Sequence, residues 1–295
     1  MAVPNRTALY RTSSLIFSVE DWANTLLQIE VHSLASGSNG NAVLIKAGGE
    51  GLLIDAGLSG RTLGAALQRR GITSGHLAGI LITHEHDDHV RGAPALSSRF
   101  AAPVIANRPT LTAANLRGEL PRTVEIATGG EICLGQFLVR SFGVSHDAAE
   151  PVGYVIQAGG VKVFYATDLG CPSEAVYQAM RGAALCVLES NHDVEWLRRG
   201  PYPSFMKARV ASDRGHLSNA DATTLITRRL EDDGPTTVWL AHLSAVNNSP
   251  AFARRYVAEG LRAGTSTVHQ LDVALRGRPS AMWRVGSIAV QKTLF

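Results

Sequence analysis

The 295-residue chain carries only three cysteines, Cys133, Cys171 and Cys186, and none of them falls in a paired spacing. An odd, scattered set excludes a disulfide scaffold and a thiolate zinc site, and it predicts a reducing, cytoplasmic setting. Long hydrophobic runs are missing too: no stretch approaches the ~20 apolar residues that span a bilayer. Near the N-terminus the apolar run Leu15-Ile16-Phe17 is short and is soon followed by Glu20 and Asp21, which excludes a clear signal peptide. A non-exported protein with no membrane partner is therefore expected. Net charge is small, 28 Lys and Arg against 25 Asp and Glu, so charge alone does not single out a nucleic-acid binder. Neither a low-complexity tract nor a short tandem repeat occurs, which argues against a solenoid. What remains, with 45% hydrophobic residues, is a chain able to bury a large core as one mixed α and β enzyme domain.

Against that background one run is dense in chemistry. Thr83-His84-Glu85-His86-Asp87-Asp88-His89 follows directly on the apolar Ala78-Gly79-Ile80-Leu81-Ile82. The H-x-H-x-D-H spacing puts His84 and His86 at a strand end, with Asp88 and His89 at the start of a helix, and suggests two adjacent metal sites. Imidazole with carboxylate and no thiolate suits zinc, manganese or iron. Such a centre needs further ligands, and the same placement recurs. His146 ends the strand-like run Val139 to Ser145, Asp168 ends Val161 to Thr167, and His242 ends Thr237 to Ala241. A single histidine at a strand end is ordinary. Four polar clusters at four strand ends describe an active-site rim.

Strands are expected at 28–34, 41–46, 51–55, 79–83, 103–106, 137–144, 152–158, 161–167, 184–189, 237–242 and 267–274. Helices are expected near 60–70, 88–100, 109–117, 172–181, 203–213, 218–231 and 249–263, with Ser218 and Ser249-Pro250 as helix starts.

These residues resemble the metallo-β-lactamase superfamily of binuclear metallohydrolases, over about Gln28 to Leu275. The resemblance implies an α/β fold, a four-layer αββα sandwich, with residues 28–295 as one domain behind a loose extension of residues 1–27. It also implies two divalent transition-metal ions, held by His84, His86 and His146 on one side and by Asp88, His89 and His242 on the other, with Asp168 bridging. Asp55, in Ile54-Asp55-Ala56-Gly57, resembles the aspartate that orients a ligand from behind. Four further segments, Ser36 to Asn41, Glu189-Ser190-Asn191-His192-Asp193, Gly215-His216-Leu217-Ser218-Asn219 and His242-Leu243-Ser244 with Asn247-Asn248, together resemble the YycJ/WalJ-like subgroup. Members of that subgroup are regarded as 5′ to 3′ DNA exonucleases. Gly215-His216 is also similar to the segment bearing a catalytic histidine in tRNA 3′-processing nucleases.

The chemistry follows. Paired divalent ions lower the pKa of a bridging water and offset charge on the phosphoryl oxygens, so a metal-bridged hydroxide is the expected nucleophile. Asp88 is the candidate to orient or deprotonate that water. His216 is the candidate acid, since a departing sugar oxygen needs a proton that a histidine can give near neutrality. Ser38, Asn39, Asn191, His192, Asn247 and Asn248 are candidate phosphate or base contacts, with Asp193 as a possible orienter of His192. Between Trp196 and Arg214 the chain carries Arg198, Arg199, Lys207, Arg209 and Arg214 against Asp213, with Trp196, Tyr202 and Phe205 interleaved. That segment suits phosphate contact and stacking, and Arg198, Arg199 and Arg209 are its candidate backbone contacts. Nucleic acid, DNA before RNA, is the expected substrate.

Spacing weighs against several relatives. Only 73 residues separate Asp168 from His242, too few for the inserted domain of the large nucleases of this superfamily, and 21 separate His146 from Asp168, which leaves no room for a tRNA-grasping arm. A small-molecule, cyclic phosphodiesterase, or another hydrolase of the metallo-β-lactamase fold, remains the alternative enzyme. A non-catalytic, metal-containing nucleic-acid-binding protein would be expected to have lost a ligand, and none of the seven is missing.

Overall fold

A computed structural model describes residues 28–114, 122–263 and 268–285. The expected extension 1–27 lies outside them, as do residues 115–117 of the helix expected at 109–117. Two seven-stranded sheets face each other. The first runs, in spatial order, β14 (Met282–Val285), β1 (Ile29–Ala35), β2 (Ala42–Ala47), β3 (Glu50–Ile54), β4 (Leu77–Leu81), β5 (Val104–Ala106) and β6 (Thr123–Glu125). The second runs β13 (Gln270–Val273), β12 (Thr237–Ala241), β11 (Leu185–Glu189), β10 (Val161–Ala166), β9 (Val152–Ala158), β8 (Phe137–Gly143) and β7 (Glu131–Leu134).

Side-chain alternation builds the layers, because successive residues of a strand point to opposite faces. Val163 and Tyr165 of β10, Leu185 and Val187 of β11, and Trp239 and Ala241 of β12 point inward. They meet Val31, Ile45, Leu52, Ile54 and Leu81 of the first sheet in one core. The intervening Phe164, Leu188 and Leu240 point outward, under α5 (Glu174–Met180), α8 (Asn219–Asp233) and α9 (Pro250–Ala263). On the far side Leu44, Leu53 and Ile80 pack under α1 (Gly60–Gln68) and α3 (Ala93–Phe100). Strands β10 to β13 pair in parallel, and β10, β11 and β12 are covered on both faces, which is why their sequences are nearly continuous apolar runs. The expected four-layer αββα sandwich is the fold. No helix among the described residues is long and apolar enough to cross a membrane.

Some elements depart from expectation. The helix expected at 88–100 is two, a single turn α2 (Asp87–Val90) and then α3. Gly92 gives its N–H to the carbonyl of Ala56, a Cβ on it would meet the carbonyl oxygen of Leu58 at 2.3 Å, and Pro94 has no N–H to continue the ladder. Short edge strands β6, β7 and β14 and the one-and-a-half-turn helix α6 (Val194–Arg199) were not foreseen. The segment expected as a helix over 203–213 forms α7 only over Ser204–Val210. α4 (Arg108–Ala113) is capped by Asn107. Ser218 caps α8 as expected, its Oγ accepting from the N–H of Asp221, and the Ser249 Oγ accepts from Phe252 N–H at the start of α9.

Candidate metal centre

Strand ends converge at one edge of the sandwich. β3 and β4 are parallel to each other, as are β10, β11 and β12, so the residues that follow them arrive together. Three of these residues adopt a left-handed backbone: Asp55 (φ 58°), Asp168 (φ 57°) and His242 (φ 53°). Non-glycine residues avoid that region, and such strain persists where surrounding contacts over-determine it, often at functional sites. Here the strand stops and the side chain is turned into the centre.

The structure brings all seven candidate ligands together. His84, His86 and His146 offer ligand atoms within 4.8 Å of one another, and so do Asp88, His89 and His242. Asp168 lies between the two sets, with carboxylate oxygens 3.3 Å from His89 Nε2, 3.4 Å from His242 Nδ1 and 3.7 Å from His146 Nε2. Its Oδ2 and the Nε2 of His242 are buried with no hydrogen-bond partner. Buried polar atoms are almost always paired, so two orphans facing a cluster of imidazoles fit a cation. The all-nitrogen and oxygen donor set suits a divalent transition metal.

Most of these imidazoles are held from behind through Nδ1, which leaves Nε2 for the centre. His89 Nδ1 donates to Asp55 Oδ2 at 2.8 Å, His146 Nδ1 to the carbonyl of Gly215 at 3.0 Å, and His242 Nδ1 to Glu189 Oε1 at 2.8 Å. Asp55 also accepts from the N–H of Thr83 and from its hydroxyl, and so ties the start of the histidine loop to the end of β3. Asp55 therefore fixes the ring of His89 from the side away from the other ligands. Gly57 permits this loop its position, because a Cβ there would lie 1.6 Å from the carbonyl oxygen of Asp88.

Burial and neighbouring charge set the ionisation. Burial, aided by the charge of His89, pushes His84 well below the usual histidine range, which favours the neutral imidazole that binds metal. Burial opposes charge on His89 and His242 as well, but Asp55 and Asp168 lift the first well above its ordinary value, and Asp168 with Asp88 and Glu189 raises the second to about 10. Metal at those two nitrogens would displace protons. Burial resists ionisation of Asp168 too, yet His242 and His89 hold it well below the usual carboxylate range.

Glu189 had no assigned role in the sequence reading, although it ends β11 just as Asp168 and His242 follow β10 and β12. It is fully buried, and Oε1 accepts from both His242 Nδ1 and His216 Nδ1, the latter at 2.9 Å, while Oε2 accepts from the N–H groups of Leu169 and Leu217. Against the cost of burial, His216 and His242 bring its carboxyl down to about 2. In turn Glu189 overcomes the effect of burial on His216 and raises it above the usual range. Asn41 was also overlooked as an individual contact; its amide nitrogen lies 3.0 Å from His89 Nε2 and 3.3 Å from Asp88 Oδ2.

A cavity of about 200 Å³ opens over the centre. Its lining includes Asp88, Asp168, His216, Ser38, Asn191, Asn247, Tyr202 and Arg209. The amide nitrogen and oxygen of Asn247 are both buried and unpartnered, whereas Asn191 donates to the carbonyl of His242. The other candidate contacts lie apart from this lining. Asn39 is exposed beside Ser38. Asn248 is consumed by the carbonyls of Ser190 and Asn191 and by the Asn219 side chain. His192 is buried with its Nδ1 unpartnered. Asp193 does not hydrogen-bond to it, and caps α6 by accepting from Trp196 N–H. Arg198 and Arg199 are exposed and pair with Glu195, while Arg209 pairs with Asp147 at the cavity wall.

Comparison with known proteins meets this geometry. A family model described as "Beta-lactamase superfamily domain" matches residues 51–243, which hold the whole cluster. The chain belongs to the beta-lactamase superfamily. Among its curated relatives within that superfamily, Exodeoxyribonuclease YycJ of Bacillus anthracis is 40% identical over 231 residues, 77% of this chain and 87% of that protein. Exodeoxyribonuclease WalJ of Streptococcus pneumoniae is 36% identical over 220 residues, 73% of this chain and 81% of that protein. The crystal structure of the metallo-β-lactamase fold protein YhfI from Bacillus subtilis superposes with a TM-score of 0.67 at 15% identity, covering 88% of this chain and 100% of that one. This beta-lactamase superfamily member is a metal-dependent hydrolase by its family and by its relatives' names.

Proposed function

We propose that the chain is a metal-dependent phosphodiesterase acting as a 5′ to 3′ DNA exonuclease. The observation that carries this reading is the convergence of two imidazole-rich ligand sets on Asp168, with His216 beside them at the wall of an open cavity. Identity of 36–40% to proteins named exodeoxyribonucleases supports DNA as the substrate.

His84, His86 and His146 would hold one divalent ion and Asp88, His89 and His242 the other, with Asp168 shared. When bound, paired ions supply a nucleophile at neutral pH and offset charge on the phosphoryl oxygens. Asp88, whose side chain faces the cavity, would accept a proton from the attacking water or orient it. His216 would give a proton to the departing sugar oxygen. Glu189 favours its protonated form and fixes its ring through Nδ1, so Nε2 is the nitrogen left to donate. Asn247 offers an unpartnered amide to a phosphate oxygen, and Arg209 adds positive charge at the wall.

The deciding experiment digests end-labelled linear single- and double-stranded DNA and RNA, with a closed circle as control, in zinc or manganese. Progressive shortening of DNA from a 5′ end with the circle intact is expected. Efficient cleavage of the circle, or strong preference for a small cyclic phosphate over every polynucleotide, would refute the exonuclease reading and leave the hydrolase standing.

A further inference from the structure

α7 stands at the mouth of the cavity, which Arg209 and Val210 line, and packs only shallowly on the protein. None of its residues is buried. Polar contacts hold it: Lys207 Nζ donates to the carbonyl of Arg198 at 2.9 Å, Arg209 pairs with Asp147 at 2.6 Å, and the N–H of His216 donates to the carbonyl of Val210 at 3.0 Å. Phe205, on this helix, is 73% exposed, more than any other large apolar side chain among the described residues. Half-buried Met206 and Val210 form the inward side of the helix, so the Phe205 ring, held in water, adds nothing to the core.

Its position narrows what could cover it. Residues four apart on a helix share a face, with Cβ atoms roughly 5–6 Å apart, so Phe205 lies one turn from Arg209 on the same side of α7. Arg209 lines the cavity, which puts the ring just outside the cavity lip. Electrostatics adds a second constraint. α7 carries Lys207 and Arg209 and no acidic residue, Arg214 follows it, and the carboxylate facing Arg209 is Asp147. Size adds a third, since a cavity of about 200 Å³ suits a phosphate and part of one nucleotide better than a duplex end. A polyanion that presents flat apolar faces, and that enters the cavity one strand at a time, satisfies all three.

We propose that Phe205 is the platform on which an unpaired base of single-stranded DNA stacks beside the scissile phosphodiester, with Arg209 holding the adjoining phosphate. The proposal rests on the nuclease reading and refines it to an unpaired substrate strand. Trp196 is left out of the platform because its ring already packs against Phe252, with centroids 4.8 Å apart.

The test measures binding of a phosphorothioate-linked single-stranded oligothymidylate and of a blunt duplex of equal length with the same linkages, which slow turnover, by metal-loaded wild type, Phe205→Ala, Phe205→Leu and Phe205→Trp. Hydrolysis of bis(p-nitrophenyl) phosphate with manganese is followed in parallel. Stacking predicts that Ala and Leu weaken single-strand binding roughly five- to a hundredfold, that Trp restores it, and that duplex binding and small-diester hydrolysis stay at wild-type level. Unchanged single-strand affinity in Phe205→Ala, with diester hydrolysis intact, would overturn the platform and leave the phosphodiesterase reading standing. If wild type neither binds nor cleaves any polynucleotide while hydrolysing the diester, the nuclease reading itself fails and the platform with it. A shift from dimer to monomer on sedimentation of Phe205→Ala, with DNA affinity unchanged, would make α7 a self-association face and equally overturn the proposal.

Discussion

The first sheet presents His84, His86, Asp88 and His89 from a single loop after β4, whereas the second sheet supplies its residues one strand at a time: His146 beyond β8, Asp168 beyond β10, Glu189 at the end of β11 and His242 after β12. The loop is fixed locally, by the turn α2 and by Asp55 reaching across from β3. The second set depends on strand register, because a slip by one residue would turn a side chain to the opposite face. It also depends on shared support. Glu189 holds a ligand imidazole and the candidate acid together, and Asp168 touches members of both ligand sets. Damage in the first sheet should therefore stay with one residue's function, and damage in the second should spread.

Ligand removal probes that contrast with the largest expected effect. His84→Ala takes one imidazole from one set and should lower occupancy by about one ion per chain. Asp168→Ala removes the carboxylate common to both and should empty both positions. Each should abolish hydrolysis in limiting metal, and metal analysis of the purified variants separates them. Equal occupancy in the two would break the assignment of Asp168 as the shared residue. Full activity of thoroughly demetallated wild type would remove the metal mechanism altogether.

A smaller effect separates holding metal from moving a proton. His216→Ala should keep both metals and lose roughly two to four orders of magnitude in turnover on DNA, with less loss on a nitrophenyl diester whose leaving group needs no proton. Glu189→Gln should do both kinds of harm. With its oxygen towards the two imidazoles the amide would turn its NH2 against the N–H groups of Leu169 and Leu217 and carry no charge to hold either ring, so metal affinity should fall roughly ten- to a hundredfold while turnover falls towards that of His216→Ala. Because His216 and Glu189 lie in the same ligand-sized cluster as Asp168 and His242, the readout that matters is metal content. Loss of an ion in His216→Ala would make it a ligand and end its role as the acid.

The same contrast explains what could be read from the sequence. A contiguous H-x-H-x-D-H run after an apolar strand is visible as one string, and the parallel strands of the second sheet are visible as apolar runs, so the layered fold was legible. Glu189 lacked any local signal except its place at the end of Leu185-Cys186-Val187-Leu188. The rule that found Asp168 and His242, a polar residue closing a buried strand, would have found it as well. Its role arises only because parallel pairing of β10, β11 and β12 stacks three such ends side by side. Asp193 went the other way: adjacency to His192 suggested an orienter, but a short acidic side chain ahead of a helical turn is better used as a cap. Edge strands β6 and β14 were missed because exposed edges carry little of the apolar alternation that marks a strand.

The smallest expected effect lies among the arginines, where the sequence treated Arg198, Arg199 and Arg209 as one group. The structure divides them. Arg209 lines the cavity and its partner Asp147 follows His146 directly, whereas Arg198 and Arg199 project from α6 and share Glu195, which offsets part of their charge. Phosphate contact releases counterions, so each true contact adds about one unit to the slope of log affinity against log salt. Arg209→Gln should lower that slope by about one and weaken DNA binding without changing metal content. The double variant Arg198→Gln, Arg199→Gln should change the slope by less, because those side chains lie off the cavity wall and already face a carboxylate. A larger change from the α6 pair than from Arg209 would mean that the strand runs along α6 rather than over α7, and would shift the DNA path away from the residues assigned to it here.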